Sequence, residues 1–156
     1  MLPDDHATTP PEPGAAAERP ALLSTAATGP IFEEDGLTFW LGFDPATVGT
    51  KVFLARARAE AGTVIPPHWH SQDTVAYLVD GRAVFRSGTD LADVHEMGPG
   101  DWLFVPAGMV HVEQTPDDVH GDFLYARDGG GGTTTYLDEE TTAQELHDHR
   151  EGDAPA

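Results

Sequence analysis

The sequence predicts an all-β domain, a sandwich or a closed barrel. Three observations carry this expectation. Short runs rich in β-branched and aromatic residues recur through the middle of the chain. Gly, Pro or Asp separates each run from the next. No convincing long helical period interrupts them. The chain has 156 residues, which argues for one domain. At that size roughly 70% of the unfolded chain's surface can be buried, enough for one core.

Taken in order, residues 1–30 are rich in Pro and Ala with little to bury, and are expected to be a disordered tail. The barrel is expected over residues 31–128. Its strands are "LTFWLGF" (37–43), "KVFLARARA" (51–59), "TVAYLV" (74–79), "AVFRSG" (83–88), "DWLFVP" (101–106), "VHVEQT" (110–115) and "DFLYAR" (122–127). Many short strands with regular turns fit a sandwich or barrel, and no internal repeat of fixed period is present. Residues 129–156 are read as a Gly-rich linker and an acidic tail. "DGGGGTTT" (128–135) is a flexible break. A short helix near 139–149 would have only a thin apolar face.

Composition removes several function classes. Eight Lys and Arg stand against 27 Asp and Glu, a formal charge of −19. A nucleic-acid partner wants a basic patch, so none is expected. An anionic membrane surface is disfavoured for the same reason. No apolar run of about 18 residues could span a bilayer. The start, "MLPDDHATTPPEPG", has neither the basic nor the apolar region of a signal peptide, so a cytoplasmic location is expected. With no cysteine, disulfides, thiolate nucleophiles and Cys-ligated zinc are excluded.

The chemistry concentrates in "GTVIPPHWHSQDTVAYLVDG" (62–81). Residues two apart on a strand share a face. If His68 and His70 begin a strand, their imidazoles project together, and imidazole is a common ligand of divalent metals. A bare H-x-H is also what two exposed loop histidines look like. The second half of the chain tips the balance. "GPGDWLFVPAGMVHVEQT" holds Gly100, Pro106, Gly108 and His111, as the first stretch holds Gly62, His68, His70 and Gly81. With these spacings the two stretches resemble the paired motifs of the cupin family, over roughly residues 31–128. The resemblance implies a double-stranded β-helix jelly roll, in which His68, His70 and His111 converge on one divalent metal inside the barrel. It also implies a homodimer paired through outer strands.

Two positions depart from the family pattern. Thr74 stands where the pattern has a ligand Glu, and Thr115 stands where it has Asn. A Thr hydroxyl is a poor ligand. Asp73 should turn the opposite way along the strand, whereas Gln72 shares the parity of His70 and Thr74, so its amide oxygen could approach the metal or a substrate. The same Gln72 also reads as a solvated loop residue. Three neutral imidazoles would leave the full charge on the ion and, in an octahedral ion, three open positions. This resembles the cysteine-dioxygenase-like and β-diketone-cleaving cupins, which use three histidines without the Glu.

Glu113 shares the parity of His111. It could act as general base, as partner to a ligand histidine or as a ligand, or it could be an edge-exposed carboxylate. Arg56 and Arg58 alternate with Ala55, Ala57 and Ala59. An arginine face at the barrel mouth would clamp a substrate carboxylate, although the same alternation describes a solvated face. His147 and His149 form a second H-x-H with no third ligand nearby, and His6, His95 and His120 receive no role. The resemblance implies a metal-dependent, dioxygenase-like enzyme acting on a small chelating oxygen-bearing molecule. Fe(II) is the favoured ion, and Zn, Mn and Ni suit the same donors. The competing readings are an oxygen-independent isomerase, cyclase or lyase, and a zinc-holding sensor or ligand-binding domain.

Overall fold

The computed structural model describes residues 22–24, 29–48, 51–129 and 134–137. The expected N-terminal tail, the helix near 139–149, and His6, His147 and His149 lie wholly or largely outside the described residues. The strands, in chain order, are β1 (Ile31–Glu34), β2 (Leu37–Phe43), β3 (Val52–Ala59), β4 (Val64–His70), β5 (Thr74–Gly81) and β6 (Ala83–Ser87). They continue with β7 (Asp93–Met97), β8 (Trp102–Val105), β9 (His111–Gln114), β10 (Gly121–Asp128) and β11 (Thr134–Tyr136). One four-residue helix, Pro45–Val48, joins β2 towards β3. No helix among the described residues is long and apolar enough to cross a membrane.

The strands form two antiparallel sheets, one in the order β1-β2-β3-β10-β5-β8, the other β11-β4-β9-β6-β7. This is the all-β jelly roll expected from the sequence. Strand alternation builds the interior. On β3, Phe53, Ala55, Ala57 and Ala59 are buried while Leu54 and Arg56 are exposed. Leu78 on β5, Phe85 on β6, and Phe123 and Tyr125 on β10 complete an apolar filling with Leu37, Phe39 and Ile65. Each buried large side chain contributes about 1.5–3 kcal/mol. The small side chains of Ala59, Ala76 and Ala83 line an interior cavity that the core leaves unfilled.

Four strands lie outside the seven runs read from the sequence: β4, which the sequence suggests only through the spacing of His68 and His70, and β1, β7 and β11. β1 and β7 have mostly exposed residues, so apolar alternation does not mark them. β11 is more consequential. Thr134 and Thr135, read with the glycine run as a flexible break, instead pair with His70 and Trp69 of β4. The five-stranded sheet therefore continues past Asp128.

Candidate metal centre

β4 and β9 place the histidines. His68 and His111 are direct register partners, but a bulge lies between Ile65 and His68. The Pro66-Pro67 pair occupies it, where missing backbone N–H groups cost no ladder bonds. The bulge changes parity, so Ile65 and His68 both point inward although three residues apart. The two histidines close β4 rather than begin it, contrary to the expectation, because the chain turns at Ser71–Asp73. Two backbone N–H groups of the second motif stitch that turn in place. Gly108 N–H donates to the His70 carbonyl at 2.8 Å, and Ala107 N–H donates to Asp73 Oδ1 at 2.8 Å.

His68, His70 and His111 are all buried, with ring centroids 4.1–5.1 Å apart. Their tautomers follow from their partners. His68 Nδ1 donates to the Pro66 carbonyl at 2.8 Å, and His111 Nδ1 donates to the Met109 carbonyl at 2.8 Å. Each proton therefore sits on Nδ1 and leaves an Nε2 lone pair. His70 Nε2 accepts from Arg127 at 3.4 Å, so it too presents a lone pair. Phe85 stacks on His111 at 5.0 Å and holds its ring plane.

Glu113 joins the three imidazoles. One donor atom from each of the four residues lies within 4.8 Å of the others. Glu113 Oε2 accepts from the Tyr125 hydroxyl at 3.1 Å, while Oε1 lies 3.6 Å from His111 Nε2. His111 Nε2 itself is buried with no hydrogen-bond partner among the described residues. Such an orphan is costly unless something binds it. A divalent cation satisfies that lone pair and the other three donors together, so the residues present fit a metal ion.

Electrostatics agree with ligand chemistry. Burial and then the Arg127 guanidinium hold His70 at about 3, well below the ordinary imidazole value. Burial and the neighbouring His111 lower His68 as well. Both are thus kept neutral, as a ligand must be. Burial alone would raise the Glu113 carboxyl; the opposing pull of His111, His68 and His70, which brings it to about 2, operates only when an imidazole carries its second proton. Burial, with Glu113 beside it, pushes the Tyr125 phenol well up, so it stays a donor.

The other expected site residues separate. Thr74 is buried in the barrel, and its hydroxyl accepts from Arg127 Nε at 3.1 Å. Gln72 lies in the turn after β4, outside the cavity lined by His68, His70 and Glu113. The strand has ended before it, so alternation no longer aims it. Arg56 is on the outer face of its sheet, with both its Nε and Nη2 donating to the Asp122 carboxylate and the guanidinium 5.2 Å from the Trp40 ring centre. The neighbouring Ala55 and Ala57 are the inward residues, so the structure does not bring Arg56 to the histidines. Thr115 ties a turn, accepting from Thr63 N–H at 2.9 Å and donating to the Glu60 carbonyl. His95 and His120 lie elsewhere, the latter 3.0 Å from Asp80.

Sequence reasoning missed Tyr125, Arg127, Thr134 and Tyr136, which share the cavity with His68 and His70. The first two had a readable signal, since they follow Phe123 at intervals of two in "DFLYAR". The last two had none, because the glycine run before them masks a strand.

Comparison with known proteins agrees with this geometry. The cupin domain family matches residues 55–126, which hold both motifs and all four donors. The chain carries a cupin domain. A germin-like protein subfamily 3 member 2 of Arabidopsis thaliana is 31% identical to it over 90 residues, half of this chain and 40% of that protein. An acireductone dioxygenase of Rhodopseudomonas palustris is 41% identical over 46 residues, 28% of this chain and 27% of that enzyme. The cupin chain thus spans less than half the length of either relative. Among solved structures, the polyketide cyclase RemF of Streptomyces resistomycificus superposes with a TM-score of 0.64 at 20% identity, covering 78% of this chain and 89% of that one. That likeness is one of fold.

Proposed function

We propose that the protein is a mononuclear metal-dependent cupin enzyme of the dioxygenase kind, acting with Fe(II) on a small chelating oxygen-bearing molecule. One observation carries the reading: three imidazole lone pairs and one carboxylate oxygen meet inside the barrel around an unsatisfied buried nitrogen. The partial likeness to an acireductone dioxygenase supports the dioxygen chemistry. When bound, the iron would supply Lewis acidity towards a chelating anion and redox chemistry towards dioxygen.

The chain's own residues divide the work. His68, His70 and His111 hold the ion. Tyr125 occupies Oε2 of Glu113, which leaves Oε1 as the oxygen facing the metal, so Glu113 would ligate through one oxygen. The sequence pattern led to an expectation of three open positions on an octahedral ion. With Glu113 as a ligand, two would remain, enough for a bidentate substrate or for one substrate atom and a small gas. Phe85, Ile65 and Tyr125 keep the surroundings apolar, which strengthens electrostatic binding there.

Metal analysis followed by anaerobic Fe(II) reconstitution tests the proposal. About one ion per chain is expected, lost in His68→Ala and His111→Ala. Oxygen uptake on adding a diketone, a catechol or a thiol would support the oxygenase reading. Turnover that survives strict anaerobiosis would assign an oxygen-independent isomerase, cyclase or lyase instead. Tight zinc without any turnover would leave a ligand-binding role.

A further inference from the structure

We infer that Arg127 is the anion-binding residue of this cavity, and that its ligand is the carboxylate of a small organic acid, seated between the guanidinium and the metal. The inference deepens the proposed metal-enzyme reading and rests on it.

Arg127 lies on β10, in step with the inward-facing Phe123 and Tyr125, and lines the same cavity as His68, His70 and Glu113. Its partners there are neutral: Thr74 Oγ1 at 3.1 Å and His70 Nε2 at 3.4 Å. Among the described residues it makes no salt bridge, and neither does Arg86, which bonds to Gln114, whereas Arg56, Arg58 and Arg82 each pair with a carboxylate. The chain holds 27 acidic residues, so the lack of a partner does not reflect a shortage of carboxylates. A half-buried cation with only neutral acceptors is an expensive arrangement.

Metal loading sharpens the requirement. Once an ion takes the His70 lone pair, Arg127 Nη2 loses that acceptor. An ion about 2.1 Å from Nε2 would then lie within roughly 5.5 Å of the guanidinium nitrogen. An ion of charge +2 and Arg127 would stand as two neighbouring cations in a cavity whose carboxylates are Glu34, Asp35 and Glu113. An anion touching both cations relieves their repulsion. A carboxylate suits this best, because one oxygen can reach the metal while the planar guanidinium binds the other or both.

Thr74 leaves the place open. A carboxylate at that position, where the family motif has Glu, would pair with Arg127 and close the site to outside anions. The hydroxyl instead accepts one Arg127 N–H and adds no charge. The cavity has about 30 Å³ of free volume, and the apolar pocket that meets it at Leu37, Ile65, Glu113 and Tyr125 has about 20 Å³. One water needs at least about 10–15 Å³ on this measure, so the acid must be small. Glu34 and Asp35 line the same cavity, with Asp35 taking the Tyr136 hydroxyl. The surroundings are therefore not generally positive, and binding of an anion depends on Arg127 and the ion.

The test uses Co(II)-loaded full-length protein, whose visible spectrum reports on exogenous ligands, with acetate as probe and isosteric acetamide as the neutral control. Acetate should change the spectrum and acetamide should not. Arg127→Gln should raise the acetate Kd at least about tenfold, and Arg127→Lys by less, with Co(II) still near one per chain. Thr74→Glu, which keeps Arg127, should abolish the acetate response by supplying an internal carboxylate. Unchanged acetate affinity in metal-replete Arg127→Gln, or no response in the wild type, would overturn the inference. If the wild type takes up no Co(II), the metal reading fails by itself. Arg127 is then read in metal-free protein by the NMR signal of its Nε–H. A shift with acetate and none with acetamide supports anion binding, and no shift with either refutes it.

Discussion

The Nδ1 protons of His68 and His111 go to carbonyls two residues upstream, so neither ring can rotate without breaking a buried hydrogen bond. This fixes which nitrogen faces the cavity before any ligand arrives. It also makes the metal-free protein sensitive to acid. His70 is held at about 3 in the folded chain against 6.5 ordinarily. Between those values the unfolded chain binds protons that the folded chain refuses. Lowering pH therefore favours unfolding, and the stability present above pH 6.5 drains away towards pH 3. One such group changes stability by up to about 1.4 kcal/mol per pH unit, less where solvent reaches the site. Urea midpoints of the metal-free protein at about pH 7, 5.5 and 4 should fall steadily, and less steeply in His70→Gln. A flat profile would mean that burial does not hold His70 neutral.

At the scale of elements, the turn between β5 and β6 shows what the motif glycines do. Gly81 has φ +89, and a Cβ there would come within 1.8 Å of the His120 carbonyl oxygen. That same carbonyl accepts from Arg82 N–H at 3.0 Å, and Gly121 is the register partner of Gly81. The β5–β10 edge therefore closes only because no side chain intrudes. Gly100 has φ +98, but a Cβ there would meet nothing within 4 Å. The two positions separate strain from clash. Gly100→Ala should cost roughly 1–2 kcal/mol from backbone strain alone. Gly81→Ala should cost clearly more, roughly 3 kcal/mol or above, because backbone must move as well. Thermal unfolding followed by circular dichroism compares the pair, and equal Tm losses would refute the role given to His120.

For the whole molecule the dominant quantity is charge. At −19 the chain repels itself, and the six-stranded sheet with its core must hold against that repulsion. Raising ionic strength from about 0.01 M to about 0.15 M shortens the screening length from about 30 Å to about 8 Å. Tm should therefore rise by several degrees over that range in a non-coordinating salt. A Tm that falls would show instead that surface ion pairs, such as Arg82–Asp118, outweigh the net repulsion.

What could be read without a structure was whatever strand alternation and motif spacing encode locally. The β class and seven of the strands belong to this group, while the grouping of the three histidines followed from the resemblance of the two motifs to the cupin family. Gly62, His68, His70 and Gly81 in one stretch, with Gly100, Pro106, Gly108 and His111 in the other, mark turns and inward positions by their own local chemistry. Alternation even gave Glu113 the parity of His111. It does not say which face of a sheet is the inside, and so leaves Arg56 a candidate for a site that it does not reach. Nor does alternation continue beyond a strand end, which is why Gln72 shares parity with His70 in the sequence but not its cavity. What joined the site was pairing between residues far apart in the chain. Arg127 meets Thr74 across 53 positions, and Thr134 meets His70 across 64. Tyr125 reaches Glu113 only because β10 and β9 lie in opposite sheets facing one interior. The first two contacts are register pairs within one sheet and the third depends on how the two sheets close on each other, and no local period in the sequence records either.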